Sequence, residues 1–135
     1  MKNTTLTLFL ICFSLTLIKA QTTEEIVQAN LDAYNQRNID KFMEYIADDI
    51  AMYNLGECEP YLKGKEKVRE RYSTYFEKSP NLHSEIKKRI VFDNKVIDHE
   101  YITGSNDSSD PFELIFIYEV EDGLIVKTTV IRKSK

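Results

Sequence analysis

The 135 residues include 18 basic and 22 acidic side chains, a formal net charge of −4. Such a length makes one domain around one core, and the acidic balance argues against nucleic acid or an anionic membrane as the main partner. Nothing in the chain matches a glycine-rich phosphate loop, a nucleophile elbow or a metal-ligand spacing, so nucleotide cofactors and serine hydrolysis are disfavoured and neither cofactor nor metal is expected.

Residues 1–20 read as a secretory leader. Met1-Lys2-Asn3 is a short cationic start, Leu6 to Ile18 is almost wholly apolar, and Lys19-Ala20 then meets the polar run Gln21-Thr22-Thr23-Glu24. The apolar run is shorter than the roughly 20 residues that span a bilayer. Cleavage after Ala20 implies a secreted or periplasmic protein with no membrane attachment and one domain over 21–135. It also removes Lys2, Lys19 and Cys12, which makes the balance more acidic and leaves Cys58 without a disulfide partner in its own chain.

Thr22-Thr23-Glu24-Glu25 is a capping box, and Ile26, Val27, Leu31 and Tyr34 follow at helical spacing. Asn35-Gln36-Arg37-Asn38 breaks that pattern, and Asn38 caps a second, short helix with Phe42, Met43, Tyr45 and Ile46. Ala47 to Tyr53 turns into a strand. Glu57, Cys58 and Glu59 fall in the loop after it and read as solvated. Gly64-Lys65-Glu66 opens a third helix, to about Lys78, with Val68, Tyr72, Tyr75 and Phe76 on one side; Ser79-Pro80-Asn81 stops it.

From there the period changes to two. Ser84, Ile86, Lys88, Ile90 and Phe92 alternate with His83, Glu85, Lys87, Arg89 and Val91, a half-buried strand. Asp93-Asn94-Lys95 has turn composition, Val96 to Thr103 is the next strand, and Gly104 to Pro111 is a loop. Phe112 to Val120 and Leu124 to Arg132 make a hairpin about Asp122-Gly123. Leu114 to Tyr118 is apolar without alternation, so both faces of that strand are expected to be covered, one by helices and the other by a second copy of the chain. A homodimer through the sheet is the consequence.

Taken together, Ile26–Asp49 with its break at Asn35 to Asp40, the Ala47-Asp48-Asp49 step, Gly64-Lys65-Glu66 and the closing Tyr118 to Ile125 resemble the nuclear-transport-factor-2-like superfamily, in its SnoaL-like branch. The resemblance implies an α+β fold: a cone-shaped barrel of a curved, mostly antiparallel sheet wrapped around three N-terminal helices, with a pocket at one end. It also implies likeness to ketosteroid isomerases, which use an Asp base together with a Tyr and a protonated Asp that hold the enolate oxygen. Laid residue by residue, those positions fall on Asn54 (or, with the one-residue insertion before Gly64, Leu55), on Asn30 and near Phe116. Asn is no base and Phe donates no hydrogen bond, so the isomerase mechanism in its known form is not supported.

The remaining candidates lie in mid-strand. Asp98 and Glu100 share one face, and His99 and Tyr101 the other. The resemblance turns Asp98 and Glu100 inward; hydrophobicity alone buries Ile97, His99 and Tyr101. In the first case, burial and mutual repulsion raise one carboxyl and give an acid–base pair; in the second, His99 is the base. In the plainer alternative, all of them pair with Lys87, Arg89 or Lys127 on neighbouring strands. Tyr34, Tyr53, Asn54, Phe116 and Tyr118 are the candidates for lining a ligand cavity. His83 is expected at a solvated rim. Two functions fit: a cofactor-independent isomerase, cyclase or dehydratase acting on a small apolar or carbonyl-bearing molecule, or a binding protein using the same cavity without catalysis. A third reading is a dimerisation module with a filled interior.

Overall fold

The structure, a computed structural model, describes residues 20–134. The expected leader therefore lies outside the described residues, apart from Ala20. Helix α1 (Thr23–Asn35) starts at the capping box, where the Thr22 hydroxyl accepts from the Glu25 amide and the Glu25 carboxylate from the Thr22 amide. Asn38 caps α2 (Ile39–Glu44) through its side-chain oxygen. Strands β1 (Ile46–Asn54) and β2 (Leu62–Lys63) come next, then α3 (Lys65–Glu77), then β3 (His83–Phe92), β4 (Lys95–Thr103), β5 (Phe112–Glu121) and β6 (Leu124–Arg132).

The six strands form one sheet in the order β2-β1-β6-β5-β4-β3, antiparallel throughout except for β1 beside β6. Two expectations change here. The sheet is open, with β2 and β3 as edges, rather than a closed barrel. Nor do all three helices precede it, since α3 follows the β1–β2 pair. Closure is not needed to bury the concave face, because α1 lies against β3 to β6 and α3 against β1 and β2. The core between them includes Ile26, Val27, Met43, Ile50, Met52, Val68, Val96, Ile125 and Val130.

Two backbone irregularities set the side-chain directions that matter. In β1 the register shifts between Ile46 and Ala51, where Asp48 and Asp49 bulge into solvent. In β3 it shifts between Ile86 and Lys88. Strict alternation would put Lys88 inward with Ser84 and Ile86; the bulge instead sets Arg89 opposite Asp98. The β5–β6 turn has Asp122 at φ 49° and Gly123 at φ 79°, the positive pair that a two-residue hairpin requires. The loop after β4 begins at Gly104, φ 68°, where a Cβ would lie 2.2 Å from the Asn81 carbonyl oxygen. Only glycine fits there.

Candidate functional site

The parity of β4 is fixed by its neighbours. Val96, Asp98, Glu100 and Ile102 are buried on the concave face, while Ile97, His99 and Tyr101 point to the convex one. Asp98 and Glu100 are thus two residues apart on the inner wall, each held by a different kind of partner.

Asp98 is fully buried and meets Arg89 in a bidentate pair: Nε and Nη2 donate to its two oxygens, both at 2.7 Å. The third guanidinium nitrogen donates to Gln28 Oε1 at 2.8 Å, and Glu24 lies 3.9 Å away. The pair joins β3 to β4, and the bond to Gln28 ties α1 to the sheet edge. Its hydrogen bond to Asp98 holds the Arg89 guanidinium above its ordinary range. With both oxygens occupied by a cation, Asp98 lines neither of the cavities described below.

Glu100, 2% exposed, has no basic side chain within ion-pair distance among the described residues. Its oxygens accept from neutral hydroxyls, Ser84 Oγ at 2.7 Å and Tyr118 Oη at 2.9 Å. Burial pushes its carboxyl from 4.5 up to about 7, against the downward pull of the Ser84 and Tyr118 hydrogen bonds; the Asp98 charge adds to the rise. Burial also drives the Tyr118 phenol far up, with the Glu100 charge next, so Tyr118 acts as a neutral donor.

Glu100 and Tyr118 form part of the wall of an enclosed chamber of about 30 Å³, whose other walls include Leu31, Phe42, Ile46, Met52 and Ile125. That is room for about two waters. The Thr128 hydroxyl also stands on this wall, and among the described residues it is the one buried side-chain polar atom without a hydrogen-bond partner. Tyr34, Tyr72 and Phe116 line this chamber and also a wider cleft of about 270 Å³ bounded by Tyr61, Tyr75, Ser105, Phe112, Arg71 and Arg132. The hollow inferred from the sequence is therefore divided: small beside the carboxyl, roomy only beyond the three rings. Phe42 stacks on Tyr72 with centroids 4.6 Å apart, and Tyr34 donates to Tyr75 and Tyr75 to Ser105.

The other candidates sit elsewhere. His99 faces away from the chamber and shares a 2.6 Å hydrogen bond with Glu113, whose carboxyl it holds below the ordinary range. Tyr53 lies under the Lys127 ammonium on the convex side, and Asn54 donates to Glu57 and accepts from Arg132 at 2.5 Å; neither lines the chamber. Tyr34, Phe116 and Tyr118 do line it. Asn30 is there too, but its amide is spent on the Phe42 carbonyl, holding α1 to α2. His83 is exposed at the start of β3, and Cys58 is exposed. No group of metal-ligating side chains occurs among the described residues.

Sequence reasoning did not single out Ser84, Tyr72, Thr128, Arg71 or Arg132. Tyr72 was legible as part of the α3 stripe. Thr128, one of two adjacent threonines in β6, carried a signal only once its face was known.

The chain belongs to the SnoaL-like domain family, whose model matches residues 27–128. It is similar to an uncharacterized cystatin-fold protein from Novosphingobium aromaticivorans, with 26% identity over 83% of this chain and 99% of that one, at a TM-score of 0.75. A nuclear-transport-factor-2-like protein of unknown function from Cytophaga hutchinsonii aligns at 15% identity, covering 87% and 95% of the two chains with a TM-score of 0.72. A computationally designed 17-OHP binder shares the fold at 15% identity, 84% and 94% coverage and a TM-score of 0.73. No curated protein matches. The fold is thus nuclear-transport-factor-2-like.

Proposed function

We propose that the protein takes a small apolar or carbonyl-bearing molecule at the open end of its sheet and moves a proton on it with Glu100, without a cofactor, as an isomerase, cyclase or dehydratase does. One observation carries this reading: a buried carboxyl with no cation, raised to about 7, on the wall of an apolar chamber. A carboxyl of that kind is divided between its two forms near neutral pH, which is what a group that both takes and returns a proton needs. With Tyr34, Tyr72 and Phe116 swung aside to join the chamber to the outer cleft, ionised Glu100 would take the proton from carbon next to a carbonyl; the C–H pair passes into the enolate, and the proton returns at another carbon. The unpartnered Thr128 hydroxyl is the donor placed to meet the enolate oxygen. Burial keeps Glu100 high, Asp98 adds to the rise while its partner Arg89 pulls against it, and His99 takes no part.

The site departs from the ketosteroid isomerase pattern in using a β4 carboxyl rather than a base at Asn54. The test is proton exchange into deuterated water, followed by NMR across small cyclic ketones. Glu100→Gln should slow any accelerated exchange by about a hundredfold or more. Equal rates in variant and wild type would remove Glu100 as the acid–base group.

A second reading has its own support. Both Glu100 oxygens already hold protein donors, and the deep chamber admits little more than water. A binding protein without turnover uses only the outer cleft, and the designed 17-OHP binder supports this fold as a vessel for such ligands. Saturable binding of cyclic ketones with no exchange above background selects this alternative.

The proposal includes secretion, on the strength of the leader pattern at 1–20, and a homodimer. On the convex face Ile97 pairs with Ile117 and Ile115 with Ile131, an apolar stripe flanked by the Lys95 and Lys127 pairs to Glu119. Sedimentation of the mature protein as monomer alone at tens of micromolar would remove the dimer.

A further inference from the structure

The outer cleft has a charge pattern that the chain as a whole does not. Its walls carry two guanidinium groups, Arg71 from α3 and Arg132 from the end of β6, and no carboxylate among the described residues. In a chain with 22 acids against 18 bases, an acid-free cavity mouth with two arginines runs against the overall balance. Neither Arg71 nor Arg132 has a carboxylate within ion-pair distance among the described residues, a state they share with surface cations such as Lys41 and Lys67, but these two face a cavity. Arg132 is nevertheless held. Its Nη1 donates to the neutral Asn54 Oδ1 at 2.5 Å, and its guanidinium lies 5.9 Å from the centre of the Tyr61 ring. Asn54 in turn donates to Glu57, so the acid is kept one residue removed from the arginine. Burial raises the Tyr61 phenol, and both arginines lie near enough to pull against that rise.

We propose that the cleft selects ligands bearing a carboxylate or another planar oxyanion on an apolar ring system, with the anion at the mouth between Arg71 and Arg132 and the rings against Tyr72 and Phe116. This rests on the reading of the cleft as a ligand site and names the class of molecule it takes. The guanidinium fork matches a carboxylate in two parallel hydrogen bonds. The apolar body then points toward the three rings that close off Glu100, so the anion fixes which end of the molecule faces the side of the cleft nearest the proton-transfer group. Asn54 and Tyr61 orient Arg132 for this without neutralising it.

The experiment compares naphthoate with the uncharged, nearly isosteric naphthamide by isothermal titration, in wild type and in Arg71→Gln/Arg132→Gln. Both arginines are exposed, so the variant is expected to fold, and its thermal midpoint is checked first. Wild type should bind naphthoate about tenfold more tightly than naphthamide at low salt, and the double variant should bring the two to parity by weakening naphthoate alone. Equal affinities in wild type, or a preference for naphthoate that survives in the double variant, overturns the anion assignment while leaving the cavity as a ligand site. Failure of both compounds to saturate by about millimolar concentration overturns the cavity reading and this assignment together.

Discussion

Replacing Glu100 by Gln should change how stability depends on pH, in a direction and by an amount that follow from burial. A carboxyl raised from 4.5 to about 7 in the folded chain is protonated there while the unfolded chain has already ionised it. Below 4.5 both states hold the proton and nothing is lost. Between 4.5 and 7 the folded chain binds more protons than the unfolded one, so stability falls as pH rises, and above 7 the loss levels off. A shift of this size corresponds to about 3 kcal/mol at the plateau. Gln keeps the shape, and the Ser84 and Tyr118 hydroxyls can rotate to donate to its oxygen and accept from its amide. Urea unfolding of both proteins at pH 5, 6, 7 and 8 gives the comparison. The variant should gain on wild type steadily across that window, by about 2–3 kcal/mol in total, or about 10 °C in thermal midpoint. Curves that stay parallel from pH 5 to 8 refute the buried, cation-free description of Glu100.

Three further perturbations test the surrounding frame. Arg89→Met leaves Asp98 buried without its cation and should cost about 3–5 kcal/mol by chemical denaturation, whereas the double change Arg89→Met/Asp98→Leu should recover much of it. Recovery close to zero would argue that the pair is indispensable rather than replaceable. Gly104→Ala should destabilise by more than about 1 kcal/mol, because it meets both a positive φ and the Asn81 carbonyl; a neutral outcome contradicts the loop geometry. Thr128→Val removes the unpartnered hydroxyl and should raise ligand-free stability by about 1 kcal/mol while slowing exchange on any ketone substrate. A destabilised Thr128→Val protein would mean that the hydroxyl has a partner in solution.

The helices and hairpins were legible because their signals are local. The Thr22–Glu25 capping box, the Asn38 cap and the Asp122-Gly123 turn each specify their geometry within four residues. Their order in the chain followed from the same signals, and the family resemblance supplied how they pack. The site was less legible, since it depends on parity. Around Asp98 and Glu100 the flanking Ile97, His99, Tyr101 and Ile102 do not alternate cleanly in hydrophobicity, so the sequence left the inward face open. The inward carboxyls became definite only when Val96 and Ile102 were seen to share their face. The bulge at Ile86–Lys88 was invisible to an alternation argument, and it decides that Arg89, not Lys88, neutralises Asp98. That in turn leaves Glu100 as the uncompensated carboxyl. The choice between the two acids was therefore made by one extra residue in a neighbouring strand.

The most direct test of the account is the titration of Glu100 itself, read from its side-chain carboxyl carbon by NMR and assigned by its loss in Glu100→Gln. A midpoint near 7 is the predicted result. A midpoint near 4.5 would mean that the carboxyl is solvated or paired in solution, and the proton-transfer role would go with it.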